Sequence, residues 1–242
     1  MTERGTAFTG FDTTMMVAFE AINLTKGTGV SGNVGTAASK GATAVIFPAD
    51  VGASGTVLEG DIITLGTSRH RYQVADGGGI SSLATGGTLT LVEPLRENVA
   101  IGAALSIVDH EPLPGDYTSV IGLKTKKFTT TIDGVESLED DSIFAANYST
   151  YIKYEFDVEG VVHASDDYGQ AELSMFLDNP TVFTHAGGQA KAWVKFFRQN
   201  GWSRTGVFVF GGKEESHPNT DLVTFTLKGK ADGPVRVTSI IA

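Results

Sequence analysis

The chain has 242 residues, 41% of them apolar, enough for a packed core in one large β domain or two small ones. The absence of cysteine excludes a disulfide framework, thiolate metal sites and a cysteine nucleophile, and a net charge of -10 argues against nucleic-acid affinity, which needs clustered Lys and Arg. Thirty glycines against seven prolines imply many turns and strands and few helices, so the expected fold class is mainly β.

Residues 1–12 read as a flexible arm, with Gly5 and Gly10 bracketing few apolar anchors. The N-terminal stretch mixes acids with apolar residues and lacks the basic start and unbroken apolar run of a secretion signal. No window approaches the roughly 20 apolar residues that cross a bilayer, so no membrane partner is expected. Residues 13–22 read as a first strand. Residues 25–41 (TKGTGVSGNVGTAASKG) are almost entirely Gly, Thr, Ser, Ala and Asn and read as a long loop of the functional kind. Within it Gly27-Thr-Gly29-Val-Ser-Gly32 matches a dinucleotide-binding spacing, but the continuation NVGTAASKGA offers no amphipathic helix to present phosphate-binding amides. No nucleotide cofactor is expected.

Residues 42–110 carry five short β-like runs (ATAVIF, TVLEGDIITLG, HRYQVA, GTLTLVEPL, AALSIVD) separated by glycine-rich turns, without helical periodicity. Glu111 to Gly115 (EPLPG) reads as a stiff linker, because two prolines so close disfavour helix and central strand. The expected organisation is therefore a small all-β barrel or sandwich, 42–110, inserted into a second β domain built from 1–41 and 111–242.

Beyond the linker, residues 117–131 and 148–163 read as strands, and in the latter Lys153, Glu155 and Asp157 share one face. From Asp133 to Asp167 there are ten acids against one base, so the acidity is a segment and not an average. Tyr168 to Asn179 reads as the one helix, capped by Asp166 or Asp167 and stopped by Asn179-Pro180. Residues 189–242 hold four strand-like runs. In the third of them Val223, Phe225 and Leu227 alternate with Thr224, Thr226 and Lys228, the mark of a half-buried strand.

Catalytic signals are weak. His70, His110, His163, His185 and His217 stand far apart without metal-ligand spacing, no serine occupies a G-x-S-x-G elbow, and the acidic turns lack a calcium-loop pattern. No enzyme activity, cofactor or metal is expected.

The order of the last part is a helix (170–177), a strand (191–197), a glycine-interrupted strand (206–210), a polar turn (213–220), Asp221-Leu-Val-Thr-Phe-Thr-Leu-Lys, and a terminal Gly-Pro strand. It resembles the major tail tube proteins of long-tailed, siphovirus-like bacteriophages. The runs Leu58-Glu-Gly-Asp-Ile-Ile-Thr-Leu and Gly87-Thr-Leu-Thr-Leu-Val-Glu-Pro-Leu are similar to small accessory β domains of phage head and tail proteins. The resemblance implies a β-sandwich or barrel with one flanking helix, hexameric rings joined by sheets between subunits, and a stacked tube that conducts DNA without binding it. Its partners would be itself and other tail proteins, and its place the virion tail, with the host cytoplasm during assembly. In that setting the loop, with Lys26, Gly27, Gly29, Gly32 and Asn33, would stack rings, and Glu155, Asp157 and Glu159 would face the lumen and repel passing phosphates. The alternatives are a carbohydrate-binding, adhesin-like β module with Trp193 and Trp202 as sugar platforms, or another virion component such as a tail terminator.

Overall fold

The computed structural model describes residues 13–19, 26–137, 146–162, 169–178, 190–198, 202–217 and 222–239. The chain forms two units, one from residues 1–22 and 118–241 and the other from 23–117. The larger opens with β1 (Thr13–Ala18). The smaller holds β2 (Ala44–Phe47), β3 (Asp61–Leu65), β4 (Tyr72–Gln73), β5 (Gly87–Thr90) and β6 (Leu105–His110). The larger then resumes with β7 (Thr118–Val120), β8 (Leu123–Ser137), β9 (Ala146–Val161), the helix α1 (Gln170–Asp178), β10 (Lys191–Arg198), β11 (Trp202–Ser216), β12 (Thr224–Ala231) and β13 (Arg236–Ser239). The fold is mainly β, as the composition implied, and α1 falls within the expected helical stretch.

In the larger unit one antiparallel sheet runs β7-β1-β10-β11-β12-β9-β8, and β13 pairs with the start of β11, where β12 does not reach. Period-two alternation decides which side is core. Phe156 and Val158 of β9, Phe225 and Leu227 of β12, and Phe208 and Phe210 of β11 all turn to one face and are buried. That face closes on itself. β8 and β10 are four strand steps apart, about 19 Å if the sheet were flat, yet the rings of Phe128 and Phe196 lie 5.4 Å apart, edge to face. Phe156 contacts Phe196, Phe208 and Phe210 at 5.3–5.6 Å between centroids, so an aromatic cluster fills the fold of the sheet. The helix covers one end of this core. Its Leu173 and Phe176 are buried, with Phe176 5.0 Å from Phe19 and 5.7 Å from Phe210.

In the smaller unit β2 pairs with β5, and β3 lies between β4 and β6. The five runs read from the sequence all contain strands. Their shared core is built from Val45, Phe47, Ile63, Tyr72, Leu89 and Leu105 among others. The limits of this unit differ from those expected. Residues 31–41 are not a free loop, because Ser31, Asn33 and Ala38 form bridges to Ser54, Ala104 and Val99, and Val34 is buried in the core. The backbone supplies what the polar side chains lack: Val34 N–H donates to Ala103 O at 2.9 Å and Gly35 N–H to Ile46 O at 2.9 Å. At the other end the proline stretch is packed, not a bare linker. Gln73 Nε2 donates to the carbonyls of Glu111 (3.2 Å) and Pro112 (2.8 Å), and both residues are buried. The unit thus spans 23–117 instead of 42–110.

Candidate assembly surface

The side of β8, β9 and β12 that faces away from the core is set by the same alternation. With Phe156 and Val158 inward, Lys153, Glu155, Asp157 and Glu159 point outward together. The pairing register then brings in neighbours that are distant in sequence. Asp157 stands between Lys127 of β8 and Lys228 of β12, and Glu155 between Thr129 and Lys230. Glu159 stands between Thr125 and Thr226. Lys230 Nζ reaches Glu155 Oε1 at 3.5 Å, an exposed pair of small energetic weight. The three candidate lumen acids therefore share a face, as expected, with four lysines interleaved among them: Lys127, Lys153, Lys228 and Lys230. The face is therefore charge-interleaved and not uniformly acidic. Opposite charges on adjacent strands, about 4.8 Å apart, cancel well inside a Debye length of about 8 Å. Of the remaining acids in the segment, Asp133 and Glu136 lie on β8, and Glu139 to Asp141 and Asp166 to Asp167 lie outside the described residues.

This ribbon also overhangs. β12 accompanies β9 only from Glu155 to Val161, whereas β8 and β9 pair from Leu123–Gly160 out to Ser137–Ala146. Residues 130–137 and 146–154 thus form a two-stranded extension, and a two-stranded ribbon is marginal in water. At its base Ile132 and Ile152 are directly paired and both exposed. Along the outer side of β8, a 15-residue strand, no further strand pairs among the described residues.

The candidate ring-stacking residues are placed elsewhere, inside the smaller unit. Gly27 N–H donates to both carboxylate oxygens of Asp61, at 3.1 and 3.2 Å, and Asp61 also accepts from Leu58 N–H and from the His110 imidazole at 2.8 Å. Asp61 is fully buried, so this set of donors is what makes its burial tolerable. A Cβ at position 27 would fall 2.7 Å from that carboxylate, so only glycine fits. Gly32 lies over Leu83, Asn33 bridges to Ala104, Lys26 is exposed, and Gly29 has φ +65. The glycine spacing that matched a nucleotide motif thus runs as irregular chain with a bridge at Ser31 and no helix after it. The role of Asp61 was missed in the sequence, where Glu59-Gly60-Asp61 reads only as a turn.

A third cluster ties the helix to the sheet. Lys213 Nζ donates to Ser174 Oγ at 2.6 Å and pairs with Glu215, while His217 lies 3.2 Å from the same carboxylate. The hydrogen bond from Lys213 holds the Glu215 carboxyl below the usual carboxylate range, against a smaller opposing effect of burial and with His217 adding to it. Among the described residues no three His, Asp or Glu converge as a metal site. His163 and His185 lie outside the described residues. Trp193, one of the two proposed sugar platforms, is buried.

No protein-family pattern matches the chain, and no curated protein does. Among solved structures, it is similar to a chain in the tail of an empty gene transfer agent particle with C6 symmetry (15% identity, TM-score 0.40, 52% of this chain and 89% of that one). It is similar also to a chain of the native gene transfer agent virion (12%, TM-score 0.42, 52% and 92%). A third similarity is to a chain of the six-fold symmetrised baseplate of the anti-feeding prophage (9%, TM-score 0.41, 52% and 86%).

Proposed function

We propose that the chain is a structural subunit of a phage-type tail tube that assembles by adding copies of itself edge to edge into rings, which stack around a DNA conduit. The observation that carries this reading is the uncovered edge of β8, with its overhanging ribbon. A long edge presents a row of backbone donors and acceptors that natural proteins cover or pair. Pairing it with a different edge of an identical subunit is a heterologous contact, which closes into a ring if the rotation is right. The six-fold ring and its stacking are taken over from the sequence resemblance. The charge-interleaved face of β8, β9 and β12 is proposed as the conduit wall, non-adhesive because its charges cancel locally, not because it repels. The buried Trp193 gives the sugar-binding reading no platform there.

Proline tests the edge directly. Of the neighbours Thr129 and Thr130, one directs its N–H toward β9 and the other away from it, because the hydrogen-bonding direction alternates along a strand. The proline variant with the outward N–H keeps the subunit fold and loses assembly. If both proline variants fold and assemble as the parent does, β8 is not the joining edge.

A further inference from the structure

The folded sheet of the larger unit has two unlike ends. At one, α1 covers the core and turns Glu172, Met175 and Asp178 outward, three residues apart in succession and therefore neighbours on the helix surface. All three are exposed, Met175 at 58%. The helix, QAELSMFLD, holds two acids and no base, and Lys213, which bonds its Ser174, is already paired with Glu215. Among the described residues neither Glu172 nor Asp178 is in an ion pair. This end presents an apolar side chain between two acids.

The other end is open and of opposite sign. Phe128, Tyr154 and Phe196 form the last layer of the aromatic cluster, with Arg204 stacked 4.5 Å over the Phe128 ring. Beyond that layer apolar side chains are exposed: Ile132 at 63%, Ile152 at 50% and Val237, the cross-strand partner of Arg204, at 46%. Arg198, the last residue of β10, is exposed and, after burial itself, is what most opposes the protonation of Arg204. Neither arginine is in an ion pair among the described residues, whereas Glu155 and Asp232 are already paired with Lys230 and Lys191. Large apolar side chains beside two uncompensated arginines imply a cover that brings acids with it.

A subunit cannot supply that cover from its own helix. Strand β11 carries Arg204 at the open end and Phe210, in contact with Phe176 of α1, at the other, about 20 Å farther along the strand. A second copy can supply it. We infer that the open end of one subunit docks on the outer surface of α1 of a second copy, with Arg198 and Arg204 facing Glu172 and Asp178 and with Met175 set among Ile132, Ile152 and Val237. Two different surfaces joined head to tail make a heterologous contact that repeats without closing when the copies stand in line. The inference rests on the tube reading in one respect: there, this contact is the axial one between stacked rings.

The experiment uses the full chain at low salt. Glu172→Lys with Asp178→Lys makes the helix surface basic, and Arg198→Glu with Val237→Glu makes the open end acidic while leaving the Arg204–Phe128 stack in place. All four positions are exposed, and circular dichroism checks that both variants keep the parental fold. Each variant alone is expected to lose stacking at least tenfold by sedimentation and electron microscopy, with single rings remaining. An equimolar mixture is expected to restore it, because the basic helix of one variant meets the acidic open end of the other. In the otherwise cysteine-free chain, Met175→Cys with Val237→Cys should give a ladder of chains joined by a short bis-maleimide. Parental stacking by either charge variant alone, or a mixture that stacks no better than its components, would overturn the inference while leaving the rings, and the tube reading, standing. Cross-links confined to single chains, or none, would overturn it too. In-line oligomers lost on charge reversal and regained on mixing, with no rings at any concentration, would uphold this contact and count against the ring.

Discussion

Phe156 of β9 and Gly229 of β12 are paired across the sheet, and the Phe156 ring occupies the space a Cβ at residue 229 would need. Four residues along β12 the relationship is reversed: Phe225 is paired with Gly160 of β9, and a Cβ there would come within 2.7 Å of its ring. Two aromatic side chains thus lie over two glycines on the core face of the same strand pair, which gives each ring a flat seat and fixes the register. Gly229→Ala is therefore expected to cost about 1–3 kcal/mol through overpacking, read as a lower midpoint in thermal unfolding. An unchanged midpoint would show that the ring can move aside.

Asp61 is the corresponding anchor of the smaller unit, joining Gly27, Leu58 and His110. Asp61→Ala strands buried donors at about 1–3 kcal/mol each, so loss of the cooperative unfolding transition of an isolated 23–117 fragment is expected by circular dichroism. We predict that the same fragment without residues 27–39 does not fold, since it loses Val34 and the bridges of Ser31, Asn33 and Ala38. A folded deletion fragment would return these residues to the status of an independent loop.

Glu215 sets a pH dependence. Its carboxyl titrates below the usual range in the folded chain, so its contribution to holding Lys213 against Ser174 is fully present above the ordinary carboxylate pKa and is lost as pH falls through the lowered one. Hydrogen exchange of α1 amides is expected to accelerate on acidification in the parent and to show less of that change in Glu215→Gln. Equal acid sensitivity in both would assign the effect to another group.

The charged face makes a sharper prediction. Replacing Glu155, Asp157 and Glu159 with Lys turns an interleaved surface into seven lysines on one side of the sheet. The variant should gain DNA affinity that falls steeply with salt, measured by fluorescence anisotropy. Parental behaviour at low salt would mean that the face is inaccessible to DNA.

The sequence made the elements legible where side chains carry the signal. The five runs of the smaller unit alternate and end in glycine turns, and Gln170 to Asp178 has helical spacing before Asn179-Pro180. It hid what the backbone or distant pairing carries. Residues 31–41 are held by main-chain bridges that polar side chains do not announce. The lysines that flank Glu155 and Asp157 come from strands about 30 residues earlier and 70 later, so a tally along the chain counts the acids and misses their neighbours. The aromatic seats on Gly160 and Gly229 likewise exist only once β9 and β12 are in register.

Electron microscopy of the purified chain at increasing concentration bears most directly on the central proposal. The account predicts rings that stack into tubes with an axial channel, and their loss in the proline variant whose outward β8 N–H is removed. A folded protein that remains a monomer by sedimentation at every concentration, with no rings on the grid, would contradict it.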